Sequence, residues 1–590
     1  MTWEAWFTLA VLVGVLFLLV RGRASAAVAV FGGNIVLLAT GVIDTEQSLA
    51  GFSNPAPLTV AALFVVAAGV QRTGALTPAL HGALGKRAGV RVPVARVAVP
   101  AAAASGFLNN TPIAAMLIPE VQTWAERYKV SVSKLLMPVS FAVVLGGLLS
   151  VIGTSTNLVI SGLMEEAGLG ALGFFEIGRI GLPIAVIGIA VMVALSASVL
   201  PARRSVAQEL ADQARDFYVE VSVRPGGPVD GKTVEQAGLR ELQGVFLTSV
   251  DRGDTVIAPV RPETVLRGGN RLRFAGQATK VLDLQSHRGL VSAETEHIES
   301  LEDPAVRYYE AVIGANSPLV GRTLKDAGFR NAYQAAVVAI HRDGGLVDAK
   351  LGQVPLRLGD TLILLSDPGF KQRWDDRNDF LLIAPMVAAP SAPVSTAKAV
   401  IAVAILAGII LLATLNVVPI LVGALVGAML MVAVGVLTAT EARRAIDLEV
   451  IVIIAAAFGL AAAMEESGLA EIAAGGVTSA FGTWGDRGAL LGIVIATMIL
   501  TEMITNNAAA LLMFPIGLSL AAETGLNPVG VAIAIAVGAS ASFLTPIGYQ
   551  TNTMVYGPGG YKFTDYWRLG LPLSIVVVVL VVTLVPILWP

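Results

Sequence analysis

The chain has 590 residues, of which 55% are hydrophobic and only 14% charged, and its net charge is −3. A soluble globular chain carries about 25% charged residues, so most of this one belongs in lipid. There is no cysteine and there are four histidines, which excludes disulfide frameworks, thiolate metal sites and cysteine nucleophiles and leaves little for a histidine-built metal centre.

The first apolar run, about 5–20, follows Glu4 and precedes Arg21 and Arg23. A signal peptide puts its positive charge first, so this run reads as a retained membrane helix. Further apolar runs fall at about 25–43, 56–75, 135–163 and 180–200, and again at about 397–414, 417–438, 448–465, 530–557 and 570–589. Each is near the roughly 20 residues that cross a bilayer. Two more apolar segments, about 97–120 and 487–520, are interrupted by paired asparagines and read as re-entrant hairpins. Basic residues gather at Arg72, Lys86, Arg87, Arg91 and Arg96, at Arg127, Lys129 and Lys134, at Arg203 and Arg204, and at Arg443 and Arg444. The opposite loops, 44–55, 163–176, 466–486 and 521–528, hold acids but no Lys or Arg. By the positive-inside rule both termini lie outside and the polar middle lies in the cytoplasm. The expected fold is a polytopic α-helical membrane protein, an inverted repeat of five spanning helices plus one hairpin each. The two halves are 1–200 and 394–590. The expected location is a multi-pass position in a bacterial inner membrane.

Between the halves, 201–390 alternates short β-branched runs with turn signals and reads as soluble α/β. It carries a duplication: Pro228, Gly231, Thr233, Ala237, Gly238, Arg240, Arg252, Leu266, Arg267 and Gly269 recur as Pro318, Gly321, Thr323, Ala327, Gly328, Arg330, Arg342, Leu356, Arg357 and Gly359. Two small domains follow, 205–288 and 300–384. Pro385, Pro390 and Pro393 mark the return to the membrane. Arg252 and Arg342 are open to two readings, an anion contact or a solvated strand end.

The membrane halves repeat as well. Ile152, Gly153, Thr156, Asn157 and Gly162 match Ile547, Gly548, Thr551, Asn552 and Gly557, and FLNNTPIAAM (107–116) corresponds to MITNNAAALLM (503–513). Broken helices at membrane depth survive only where they are buried or line a cavity. Their free carbonyls hold cations and their free N–H groups face anions. Lone Asn, Thr and Gly in membrane helices often serve only as packing and hydrogen-bond glue; the same polar pattern in both halves favours a site. Glu502 is an acid within an apolar segment and reads either as a proton carrier or as a cap on its hairpin.

The string LTPIGYQTNTMVYGPGGY (544–561), together with the asparagine hairpins, resembles the divalent anion:sodium symporter family of the ion transporter superfamily. The resemblance covers both membrane halves and implies a homodimer, an elevator movement, and two sodium sites flanking a small-anion site. Carried over, the cation sites fall on Ser105, Asn110, Gly153 and Asn157 and on Thr501, Asn507, Pro546 and Gly548. The substrate site falls on Asn109, Asn110, Thr111, Thr154, Asn506, Asn507, Thr551 and Asn552. That family's hairpin signature is Ser-Asn-Thr. Here Asn109-Asn110-Thr111 and Asn506-Asn507-Ala508 stand instead, which makes sulfate or another compact oxyanion at least as fitting as a dicarboxylate. The insert, through SPLVGRTLKDAG (317–328) and LRLGDTLILL (356–365), resembles the C-terminal regulatory domain of the potassium-uptake protein TrkA. That implies an unidentified small ligand or nucleotide, or a dimerisation scaffold without one. No nucleic-acid partner is expected. A channel gated by the insert is the rival reading, and no TVGYG-type filter supports it. No nucleophile elbow, metal constellation or catalytic acid pair suggests an enzyme.

Overall fold

The computed structural model describes residues 2–21, 25–75, 89–128, 130–203, 218–239, 245–276, 290–292, 307–385 and 396–590, apart from 254, 258–259, 315–316, 343–344, 348, 350, 375–376, 378 and 416. Arg23, Lys86, Arg87, Lys129, Arg204, Arg240, Pro390 and Pro393, used above to orient and divide the chain, lie outside these residues. The chain forms two compact units, one of Met1–Ala202, Ser391–Val555 and Phe563–Pro590, the other of Arg203–Pro390 and Tyr556–Lys562.

The first unit is helical. Among the described residues six helices are long and apolar enough to cross a membrane, including Gly178–Val199, Leu448–Glu466 and Asp565–Leu588. Large apolar side chains such as Val400, Leu411, Val426 and Met429 are exposed on it, as a lipid-facing surface requires. Two segments expected as loops are helical instead. Thr45–Ser53 begins on a capping box between Asp44 and Gln47, and Leu469–Phe481 begins behind Gly468, whose φ of 69° only glycine adopts freely. The first is a polar stretch that its capping box makes helical; the second is apolar and buries Leu469 and Ala470 beside Met464.

The apolar run 135–163 is two half-helices, Leu136–Gly146 and Ser155–Glu166. The run 530–557 is likewise Pro528–Ser540 and Gln550–Tyr556. Every residue of Leu136–Gly146 is buried, so its unbonded ends must find partners in the protein. Each break faces a hairpin. The first hairpin is Arg91–Ser105 with Asn110–Arg127; the second is Asp486–Thr501 with Asn506–Thr524. They extend somewhat beyond the apolar segments that signalled them, to the exposed Arg91, Arg127 and Asp486. Glycine permits the close approach. A methyl group on Gly146 would lie 2.2 Å from the Ala102 carbonyl oxygen.

The second unit holds two antiparallel sheets. The first consists of β1 (Tyr218–Val223), β2 (Val245–Asp251), β3 (Val256–Ile257), β4 (Arg271–Gly276) and β5 (Leu290–Ser292), in the order β3-β2-β4-β1-β5. The second consists of β6 (Arg307–Val312), β7 (Ala335–Arg342), β8 (Gly345–Leu346), β9 (Thr361–Ser366) and β10 (Leu382–Pro385), in the order β8-β7-β9-β6-β10. One order is the other displaced by five strands, and both sheets bulge in the second strand, at Leu247/Ser249 and Val337/Ala339. Each has its own core, built on Val221, Leu247, Leu272 and Phe274 in one and on Tyr309, Ile340, Leu362 and Leu364 in the other. Arg342 reaches Asp360 with two hydrogen bonds of 2.7 Å and Arg252 reaches the Val265 carbonyl at 2.8 Å. Both arginines are thus engaged within their own sheets.

Candidate functional site

The two hairpin–break pairs share one hydrogen-bond scaffold. Ser105 Oγ donates to the Val143 carbonyl at 2.7 Å and Thr501 Oγ1 to the Ala539 carbonyl at 2.6 Å, each 38 residues ahead. The Asn157 amide donates to the carbonyls of Gly147 and Ser150, 10 and 7 residues before it, at 3.0 and 2.9 Å. The Asn552 amide donates to those of Ser542 and Thr545, again 10 and 7 residues before it, at 2.9 and 3.2 Å. An asparagine thus ties off carbonyls that each broken helix leaves open.

The hairpin helices begin at Asn110 and Asn506. Counted from the helix starts, the partner of Asn110 is therefore Asn506, and Thr111 corresponds to Asn507. The doubled asparagines in the sequence suggest a pairing one residue away from this one.

Each hairpin tip bonds the break of the other half. Thr111 Oγ1 donates to Gln550 Oε1 at 2.8 Å. Asn507 Oδ1 accepts from Ser155 and Thr156, both at 3.1 Å, and the Asn506 amide donates to Thr156 Oγ1 at 2.7 Å. Ser140 Oγ lies 2.8 Å from Thr551 Oγ1 and 2.7 Å from Asn552 Oδ1. The Tyr549 ring, 8% exposed, carries its hydroxyl to 2.5 Å from the Asn110 amide and 3.4 Å from Thr154 Oγ1. Asn110, Thr154, Thr156, Asn507, Thr551 and Asn552 are all buried. They meet in one polar centre inside an apolar body.

Asn110 has a further property. One end of its amide sits 2.5 Å from Ser105 Oγ, 3.2 Å from the Val143 carbonyl and 3.3 Å from the Gly153 carbonyl. An NH2 turned that way can donate to two of the three; an oxygen turned that way brings four oxygens together. Nearby, Asn157 Oδ1 is buried with no hydrogen-bond partner among the described residues. Such an acceptor is costly unless something fills it.

Other expected residues fall differently. Asn109 lines a mostly apolar pocket with Phe64, Phe107 and Leu158, which Ser155 of the first break also lines. The Pro546 carbonyl is taken by Thr553 Oγ1 at 2.7 Å. Glu502 is half-buried and stands at the C-cap of Asp486–Thr501, its backbone N–H reaching the Met498 carbonyl, while its carboxylate accepts from Leu544 N–H at 2.8 Å and Thr545 Oγ1 at 2.7 Å in the second break. Ser140, Ser155, Tyr549 and Gln550 are site residues that inspection of the sequence did not single out. Tyr549 and Gln550 stand inside the string that signalled the family, but nothing local separates a site tyrosine from a packing one.

A polytopic helical body whose broken helices and hairpin tips converge on a buried polar centre belongs to the membrane transporters. The citrate transporter family (CitMHS) matches residues 15–516 and 419–589, and the chain belongs to that family. It is 35% identical, over 92% of its length and 90% of the relative's, to an uncharacterized transporter of Synechocystis. It is 25% identical to sodium/sulfate cotransporter 1 of Chlamydomonas reinhardtii, over 90% of this chain and 84% of that one. The crystal structure of the Alcanivorax borkumensis YdaH transporter aligns with 98% of this chain and 100% of its own at a TM-score of 0.42 and 14% identity.

Proposed function

We propose that this transporter is a sodium-coupled symporter of a compact divalent oxyanion, with sulfate preferred to a dicarboxylate. What supports the reading is the meeting of Ser105 Oγ and the Val143 and Gly153 carbonyls at one end of the Asn110 amide, which makes a small-cation cage beside amide and hydroxyl donors when the amide oxygen is turned to it. Thr501 and Gly548 frame the corresponding second cation position. Asn506, Asn507, Thr551 and Asn552, with Thr111 and Thr154, supply the anion's donors. No arginine or lysine is among these residues, so bound sodium must balance the anion's charge. The name of the Chlamydomonas relative agrees with this choice of ion and anion. The halves then act as inverted repeats of five spanning helices and one hairpin, moving the site as an elevator within a homodimer. The insert lies in the cytoplasm with both termini outside. It biases transport through a small ligand, so deleting 205–385 with a short linker changes regulation and leaves the anion preference intact.

The test is uptake of labelled sulfate and succinate by purified protein in liposomes, with and without an inward sodium gradient. Sodium-driven sulfate accumulation supports the reading. Accumulation driven only by a pH gradient favours a second reading, proton coupling through the Glu502 carboxylate, whose place at the second break motivates it. No accumulation of either anion under any gradient removes the symporter reading.

A further inference from the structure

The two half-sites share a backbone scaffold but not a charge. In the first, Ser150 Oγ donates to the backbone carbonyl of Gly106, the residue after Ser105. In the second, the residue after Thr501 is Glu502, and Thr545 Oγ1 donates to its carboxylate. Ser150 and Thr545 are equivalent, since each carbonyl is held by the asparagine 7 residues on. A neutral carbonyl in one half is therefore replaced by a carboxylate in the other. Both carboxylate oxygens accept hydrogen bonds, and Gly548 N–H donates at 3.0 Å to the same Thr545 hydroxyl that donates to Glu502. A methyl group on Gly548 would lie 2.7 Å from Glu502 Oε2. The charge thus borders the second cation position directly, and no ion pair to Glu502 occurs among the described residues.

We propose that Glu502 makes the two cation positions unequal: the second takes sodium first and more tightly, and its occupation is what admits the anion. This rests on the symporter reading and assigns an order to it. A carboxylate a few ångströms from the site repels a divalent anion until a cation neutralises it. At interior dielectric the same charge strengthens sodium binding by about tenfold or more. The first half, with Gly106 in that place, has only neutral ligands, so its sodium binds after or together with the anion. Glu502 acts through its field on the site and is a positioning residue.

The experiment is thermal melting of the full-length protein in detergent, titrated with sodium chloride against choline chloride, for wild type, Glu502→Gln and Glu502→Asp. The proposal expects the sodium concentration for half-maximal stabilisation to rise about tenfold in Glu502→Gln and to stay within a few-fold of wild type in Glu502→Asp. It also expects sulfate to stabilise Glu502→Gln in choline, where wild type needs sodium. A merely structural role would lower the melting point in choline without moving the sodium midpoint, and that result overturns the proposal. So does a Glu502→Asp variant as insensitive to sodium as Glu502→Gln. If Glu502→Gln does not fold, Glu502→Ala, which also removes the charge, is put through the same titration and decides between these outcomes. A wild type without any sodium-specific shift overturns the sodium reading itself, and the order of binding with it.

Discussion

The first and second half-sites are built alike and equipped differently. Backbone carbonyls are caught at the same spacings in both, through Ser105 and Asn157 in one and Thr501 and Asn552 in the other. The side chains then diverge. Asn552 Oδ1 accepts from Ser140, whereas Asn157 Oδ1 has no partner among the described residues. Ser140 stands three residues before Val143; three residues before Ala539 stands Ala536, which has no hydroxyl to offer. Tyr549 reaches across from the second break where the first break has only Thr154. A duplicated scaffold fixes where groups can stand, because the breaks must be tied off to survive in lipid. It does not fix what chemistry each copy offers, and a transporter with two half-sites can exploit that freedom.

The largest effect should come from removing Asn110, the proposed cation ligand of the first half. Asn110→Ala is expected to abolish sodium-driven sulfate uptake, by about a hundredfold or more, while the protein elutes as wild type in gel filtration. Near-normal uptake would break the comparison at its centre. Gly146→Ala should cost several kcal/mol of stability, because its new methyl meets the Ala102 carbonyl oxygen at 2.2 Å and the hairpin cannot yield cheaply; the readout is the melting temperature.

Exchanging the equipment sharpens the contrast. Ser140→Ala leaves Asn552 Oδ1 without its donor and should destabilise by about 1–3 kcal/mol. The reciprocal Ala536→Ser gives Asn157 Oδ1 a donor and should raise the melting temperature in choline while weakening sodium binding. Unchanged sodium midpoints in Ala536→Ser would mean that Asn157 Oδ1 takes no part in holding the ion. Tyr549→Phe removes a single hydroxyl from Asn110, worth about 1 kcal/mol, and should slow uptake several-fold.

The smallest effect lies in the insert. Asp367 accepts from Arg373 at 2.9 Å, and that guanidinium holds its carboxyl below the usual carboxylate range. The folded pKa is the lower one, so the contribution is present above the ordinary carboxylate pKa and disappears as pH falls through the folded value. The pair is exposed, so Asp367→Asn should shift acid unfolding of the full-length protein only slightly.

Much of the class was legible without coordinates. The apolar runs and scarce charge define a polytopic helical membrane protein, and the 544–561 string points to its transporter family. The absence of a catalytic constellation agrees with relatives that are transporters. The helices Thr45–Ser53 and Leu469–Phe481 were not legible: the first is polar and starts on a capping box, and the second holds to the body through Leu469 and Ala470, buried beside Met464. The register of the second hairpin was misleading for a different reason. Two adjacent asparagines look alike in sequence, and only the helix start shows that Asn506 takes the place of Asn110.

By itself the sequence determined that the chain is a polytopic membrane protein, because hydropathy is local and sums over a single helix. It also marked the two breaks through their repeated Gly, Thr and Asn pattern, although proline alone does not break a helix here, since Pro100, Pro183 and Pro515 lie inside helices. Tertiary structure alone decided which polar groups meet. Thr111 and Gln550 are 439 residues apart and Asn507 and Thr156 are 351 apart, and no local preference encodes such pairs. It alone turned Glu502 toward the second break and left Asn157 Oδ1 open, since a buried polar group is defined by what the rest of the fold brings to it.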